Sequence, residues 1–428
     1  MLPQYRDRGY FLKLLFSVFV SAALTLSAAA QSSPVGAKVA APSKSTPTNP
    51  SDRQQARQKF VLDVVHNAVA LPEADPQDRL RVLSEAANVI APIDDKLAQQ
   101  FAREGTAIET KLVAEGQKPA VSMLASGHVD CASAASFVQT VPPSAVVDAE
   151  QSLLAAITSC PKQVQEAAKA KLDAGMQQGV VAGRAILALM DAEGMSSPWS
   201  QSIFVRMFSS LPADAASFKQ EAPNYAAMFA QVSGDMDRDA VKSAGKNLLL
   251  WLGKLPESSE RSVAVNLTTG ALSDALGAAA YQELLRSDAN LQQIANSADP
   301  GATLSPPEEE NVSVLRAMGD SSDRTQALES MSPSMRAREA AASGFASGTA
   351  GDRKIADHYF DIAFASVDEV WAHRAGSGVN APEVVQEVSD AAAQVDPIAA
   401  LQRSQRLQDP SAEAISMLAV ARVVAGQQ

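Results

Sequence analysis

Residues 357–373 hold the side chains best suited to bind a metal or move protons: Asp357, His358, Asp361, Glu369 and His373. Imidazole and carboxylate together ligate metals or act as proton relays, so His358, Asp361, Glu369 and His373 are the candidate metal ligands. Glu369 and His373 are four apart and share a helical face. His358 and His373 are fifteen apart, about 22 Å along a straight helix. They meet only if the chain folds back near Ser366. The alternating apolar residues Ile355, Phe360, Ile362, Phe364 and Trp371 favour a plainer reading, in which the polar residues are the solvated faces of helices.

Asp235, Asp237 and Asp239 alternate in GDMDRDAVKSAG, residues 234–245, as the first ligands of a calcium loop do. Such a loop needs glycine where Ala240 stands and a bidentate glutamate where Lys246 stands. The acids fit better as a cap and first-turn charges for a helix carrying Val241, Leu248, Leu249 and Leu252. Motifs for nucleophilic or phosphate chemistry are missing: no G-x-S-x-G, no H-E-x-x-H and no phosphate-binding glycine loop. His66 sits beside Val64 and Val65 and reads as a half-buried helix residue. His128 precedes Asp130 and Cys131, where a free thiol would be activated by it. Glu104, Glu109 and Glu115 are read as solvent-facing helix positions. No catalytic residue is singled out and no cofactor is expected.

Cys131 and Cys160 are the two cysteines. An even count in an exported chain favours a disulfide over free thiols. A helix from 131 to 140, a turn at Pro142-Pro143 and a helix from 144 to 160 bring both to one end of a hairpin. The second helix would then be several residues longer, so the match is imperfect.

These residues need elements to position them, and the elements read as helices. The chain is alanine-rich and only 5% aromatic, and its apolar spacing follows a period near 3.6, not 2. Helices are expected at 162–178, 180–193, 198–211, 214–232, 238–254, 257–276, 308–318, 323–330, 333–348, 352–373, 382–394, 397–408 and 411–426. Three others lie on the faces Phe60–Ala68, Leu80–Ile90 and Leu97–Leu112. Proline at the starts 76, 198 and 256 fits first helical turns, and Pro223 should kink or split its helix.

In SGFASGTAGDRKIADHYFDIAF, residues 343–364, Gly344, Ala356, Phe360 and Ala363 stand at spacings that resemble one tetratricopeptide repeat, a helical hairpin of about 34 residues. The resemblance covers one unit, about 337–370, with Ala340, Ser347 and Asp368 where the repeat carries Trp, Tyr and Pro. It implies two helices touching through small residues, SGTAGD as their turn, and Asp352 as the cap of the second. The expected fold class is all-α, an antiparallel helix-hairpin array of α-solenoid or right-handed superhelical type, in two halves.

The halves are set by SADPGATLSPPEE, residues 297–309, whose prolines and glycine interrupt any helix. The expected organisation is a signal peptide at 1–30, a Pro/Ser/Ala-rich linker at 31–52, a helical region at 53–298, a linker at 299–307 and a second helical region at 308–428. Arg6, Arg8 and Lys13, the apolar run Leu14–Leu26 and the small residues Ala28 and Ala30 carry the signal reading. Export to the periplasm or medium is expected, an uncleaved anchor being the alternative. The net charge of -12 disfavours nucleic acid and anionic membrane surfaces as partners. The sequence points to an exported helical-repeat protein that binds or scaffolds a protein or polymer of the cell envelope. The alternatives are a cell-wall enzyme or enzyme accessory with an unrecognised acid/base site, and a purely structural envelope protein. A deep pocket with a buried glutamate would favour the enzyme.

Overall fold

The computed structural model describes residues 50–73, 75–212, 215–302 and 322–426. The signal segment, the linker before Pro50, the expected helix 308–318 and most of the linker 299–307 lie outside them. The described residues form nineteen α-helices and no strand. In order these are α1 (Pro50–Val69), α2 (Pro76–Ile90), α3 (Asp95–Ala114), α4 (Cys131–Thr140), α5 (Glu150–Ser159), α6 (Pro161–Gln177), α7 (Gly183–Glu193), α8 (Pro198–Ser209), α9 (Ala222–Val232) and α10 (Arg238–Leu252). Then follow α11 (Ser259–Leu276), α12 (Ala278–Arg286), α13 (Ala289–Ser297), α14 (Ser322–Glu329), α15 (Pro333–Thr349), α16 (Arg353–Ala372), α17 (Ala381–Val395), α18 (Pro397–Ser404) and α19 (Pro410–Gly426). The protein is all-α, and no described helix is long and apolar enough to cross a membrane.

Local chemistry starts helices where the sequence marks them, except at Pro256, which stands before Ser258, the N-cap of α11, and so outside the helix. Asp75, Asp94, Asp130, Ser197, Ser258 and Asp396 each accept a backbone N–H of the helix that follows. Proline stands in the first turn of α2, α8, α15 and α18. Pro223 splits its helix as expected: a 3₁₀ segment, Ala215–Glu221, precedes α9. Asp237 occupies the N-cap position of α10 but its side chain makes no cap hydrogen bond.

Helices two apart in order pack together: α4 on α6, α5 on α7, α8 on α10, α9 on α11, α15 on α17 and α17 on α19. Two main apolar clusters result. One runs from Val113 to Ile294. The other joins Val61–Phe101 of α1–α3 to Leu328–Val424 of α14–α19, so segments from both expected halves share one core. Arg374 reaches back to Asp78 at 2.9 Å, and Arg422 binds both Glu85 and Asp390.

The hairpin of α15 and α16 turns at Ala350-Gly351-Asp352, with Gly351 at φ +91°. Gly344 lies against the Phe360 ring; a Cβ there would stand 2.9 Å from it. Asp352 caps α16 by accepting from Ile355 N at 3.1 Å. The turn is shorter than SGTAGD because Ser347, Gly348 and Thr349 continue α15.

Candidate binding cavity

Three helix starts and one irregular segment enclose a cavity of about 690 Å³. Its walls come from residues 118–122, from 147–152 at the start of α5, from 181–187 at the start of α7, and from 218–231 in the 3₁₀ turn and α9. The packing of α5 on α7 and α7 on α9 brings these starts together. Glu150 fastens two of them. Its carboxylate accepts Arg184 N at 2.8 Å and Arg184 Nε at 3.1 Å, supplying α7 with the cap that Ala182 lacks.

The irregular wall has no helix to hold it and is fixed by side chains of α2 and α3. Gln77 donates to Lys118 O at 3.0 Å and accepts from Ala120 N at 2.7 Å, clasping the backbone on both sides of Pro119. Gly105 leaves room for Met123, whose side chain would stand 2.7 Å from any Cβ at that position. Glu109 accepts Met123 N at 3.0 Å and the hydroxyl proton of Ser152, both partners being buried.

Glu109 is fully buried, which overturns its reading as a solvent-facing position. Glu104 and Glu115 are exposed as expected. The signal was present: Phe101, Gly105, Glu109 and Leu112 follow the spacing of one buried stripe. Burial pushes the Glu109 carboxyl up to about 7, against hydrogen bonds from Ser152 and the Met123 backbone that favour its ionised form. Ser122 and Ser152 line the cavity, and Glu109 stands behind them.

The lining mixes hydrogen-bonding types. Tyr225 packs edge-on against Trp251, ring centroids 5.5 Å apart, and burial raises the pKa of its hydroxyl, with Glu221 and Glu150 adding to the rise. Asn224 donates to Glu221 at 3.0 Å. Asp148, Gln151 and Gln231 make no side-chain hydrogen bond among the described residues.

The residues first singled out for chemistry stand elsewhere. α16 runs unbroken through Ser366, so His358 and His373 sit toward opposite ends of it, both exposed. Asp357 and Asp361 pair with Arg403, Glu369 pairs with Arg336, and His373 Nδ1 lies 2.8 Å from Glu369 O. Asp235 lies in a 3₁₀ turn and Asp239 in the first turn of α10. Among the described residues, no three His, Cys, Asp or Glu are grouped to hold a metal.

Cys131 and Cys160 are joined in a disulfide, Cα atoms 5.5 Å apart. The expected length mismatch does not arise. Pro143–Ala145 forms a 3₁₀ turn, so α4 and α5 are each ten residues long. His66 is exposed, not half-buried. Trp251 and Trp371 are core residues, and Trp199 is partly buried against the larger cluster.

Comparison of the chain with protein-family models, with curated proteins and with solved structures found no match.

Proposed function

We propose that this chain is an exported helical-array protein that binds a segment of another macromolecule of the cell envelope in the cavity between α5, α7 and α9. The single observation carrying this reading is the cavity itself: it is of ligand size, and Asp148, Gln151 and Gln231 in its lining are not engaged in holding the fold. Export is supported by the leader-like segment 1–30 and by the disulfide, which persists in oxidising compartments. The one tetratricopeptide-like hairpin and the pairing of alternate helices support an array built for binding.

The test is capture from the native envelope fraction with the tagged full chain and with Ala227→Trp, which fills the cavity from an exposed position of α9. A stoichiometric partner held by the wild type and lost by the folded variant supports the reading. Equal capture by both, or no capture by either, sinks it.

One observation favours a second reading, an acid catalyst: a carboxyl that titrates near neutral pH lies one hydroxyl away from the cavity. The carboxyl is enclosed and both its oxygens are engaged, so binding ranks first. Turnover of a bound polymer that Glu109→Gln abolishes, with binding retained, would reverse that order.

A further inference from the structure

We propose that the ligand of this cavity is a short, uncharged oligosaccharide segment; this rests on the binding reading above. The argument is one of donor and acceptor types. Asp148 and Glu221 offer acceptors only, while Gln151, Asn224 and Gln231 each offer both a donor and an acceptor. While Glu109 is ionised it takes the hydrogen bond of Ser152, and toward the cavity Ser152 then offers an acceptor. A sugar hydroxyl donates one hydrogen bond and accepts two. It is the ligand group that uses acceptor-only and dual partners side by side.

Charge narrows the class. Three carboxylates, Asp148, Glu150 and Glu221, face two cations, Lys118 and Arg184, and Glu150 is already paired with Arg184. The near balance gives no clamp for phosphate or polyanionic chains, which bind where cations converge. Glu150 and Glu221 are already hydrogen-bonded, which leaves Asp148 alone to draw a strongly basic peptide. Two common modes of reading a neutral extended peptide are a free sheet edge and an apolar helix groove. This site has neither: the described residues form no strand, and polar residues share the lining with the apolar ones. Tyr225 and Phe218 add ring surface, and Val121, Val147 and Met228 add apolar wall for the C–H faces of a sugar.

The experiment is calorimetric titration of the full chain with two neutral probes, the tetramers of glucose and of N-acetylglucosamine. Tryptophan emission is followed in parallel, because Trp251 lies directly behind Tyr225. Saturable binding of at least one tetramer is expected, weakened about tenfold by Ala227→Trp. The double variant Gln151→Ala/Gln231→Ala should weaken it similarly. It only trims exposed side chains, so it keeps the test valid if the tryptophan variant misfolds. Binding of neither tetramer overturns the proposal, as does binding that both variants leave intact or preference for a basic peptide. If the tetramers fail while envelope capture remains sensitive to Ala227→Trp, the sugar assignment falls and the binding reading stands. If capture ignores Ala227→Trp, both fall.

Discussion

Glu109 accepts the backbone N–H of Met123 at 3.0 Å in a site closed to solvent. That bond fastens an irregular cavity wall to α3, and the same carboxyl takes the Ser152 proton from α5. One carboxyl therefore joins three segments, and its protonation bears on stability. Its folded pKa of about 7 stands above the ordinary 4.5, so the folded chain holds this proton more tightly than the unfolded one. The contribution is fully present below about pH 4.5 and is lost as pH rises through about 7. The shift corresponds to about 3 kcal/mol. Glu109→Gln keeps the acceptor for Met123 and turns an amide donor toward Ser152, which then accepts, as it would from the protonated acid. Urea unfolding from pH 4.5 to 8 should show the wild type losing stability relative to the variant by roughly that amount. A constant difference across the window would refute the assignment.

Arg422 of α19 bridges Glu85 of α2 and Asp390 of α17, and burial raises the pKa of both carboxyls. Arg422→Met leaves the two carboxylates facing each other without a cation. At pH 7 this should cost about 1–2 kcal/mol, a partly exposed pair being worth less than a fully buried one. The loss should shrink toward pH 5 as the carboxyls protonate. Denaturant midpoints at the two pH values check it; a loss independent of pH would assign Arg422 a packing role instead.

Two glycines in helices should respond oppositely to alanine. At Gly344 the new methyl would stand 2.9 Å from the buried Phe360 ring, which would have to shift inside the core. Overpacking of this kind costs about 1–3 kcal/mol. At Gly270, exposed on α11, nothing lies within 4 Å, and Gly270→Ala should stabilise by about 0.5–1 kcal/mol through helix propensity. Thermal melts of both variants decide; the same sign for both would contradict the packing described.

Ser389, Ser404 and Ser416 form a buried chain, with Ser416 Oγ 2.7 Å from Ser389 Oγ and 2.6 Å from Ser404 Oγ. Ser389 also approaches Val385 O, and Ser404 approaches Ala400 O. Three hydroxyl protons serve four contacts, so one contact always lacks a proton. Ser416→Ala removes the conflict and leaves two hydroxyls with carbonyl partners. Its cost should stay below about 1 kcal/mol, whereas Ser404→Val, which adds bulk at a fully buried position, should cost about 1–3 kcal/mol. Equilibrium unfolding compares them.

The helices were legible because alanine, a 3.6 period and capping Asp-Pro or Ser-Pro pairs all act locally. Pro223, Asp352 and the Cys131–Cys160 hairpin could be placed from neighbours in sequence alone. The cavity could not. Its wall at 118–122 carries no periodicity, and its supports come from Gln77 and Glu109, whose partners lie 41 and 43 residues away for Lys118 and Ser152. Glu109 was misread because a carboxylate on a buried stripe looks like a surface residue until its partners are known. No helix was expected where α12 and α13 stand. Gly277 at φ +83° and the Asp288 cap cut their stretch into two helices of nine residues each, about two and a half turns.

The contact between α1 and α19 concerns the order in which the chain is made. Arg422 meets Glu85 across 337 residues of sequence. α1 and α2, made well before α19, carry Val61, Val65, Leu83 and Ile90 toward a core that α19 completes. Until α19 is made, the part of that apolar surface that faces it lacks its native cover. Long-range closure of this kind slows folding and leaves the growing chain prone to aggregation. A chaperone that holds α1 and α2 as they emerge would shield them until α19 is made.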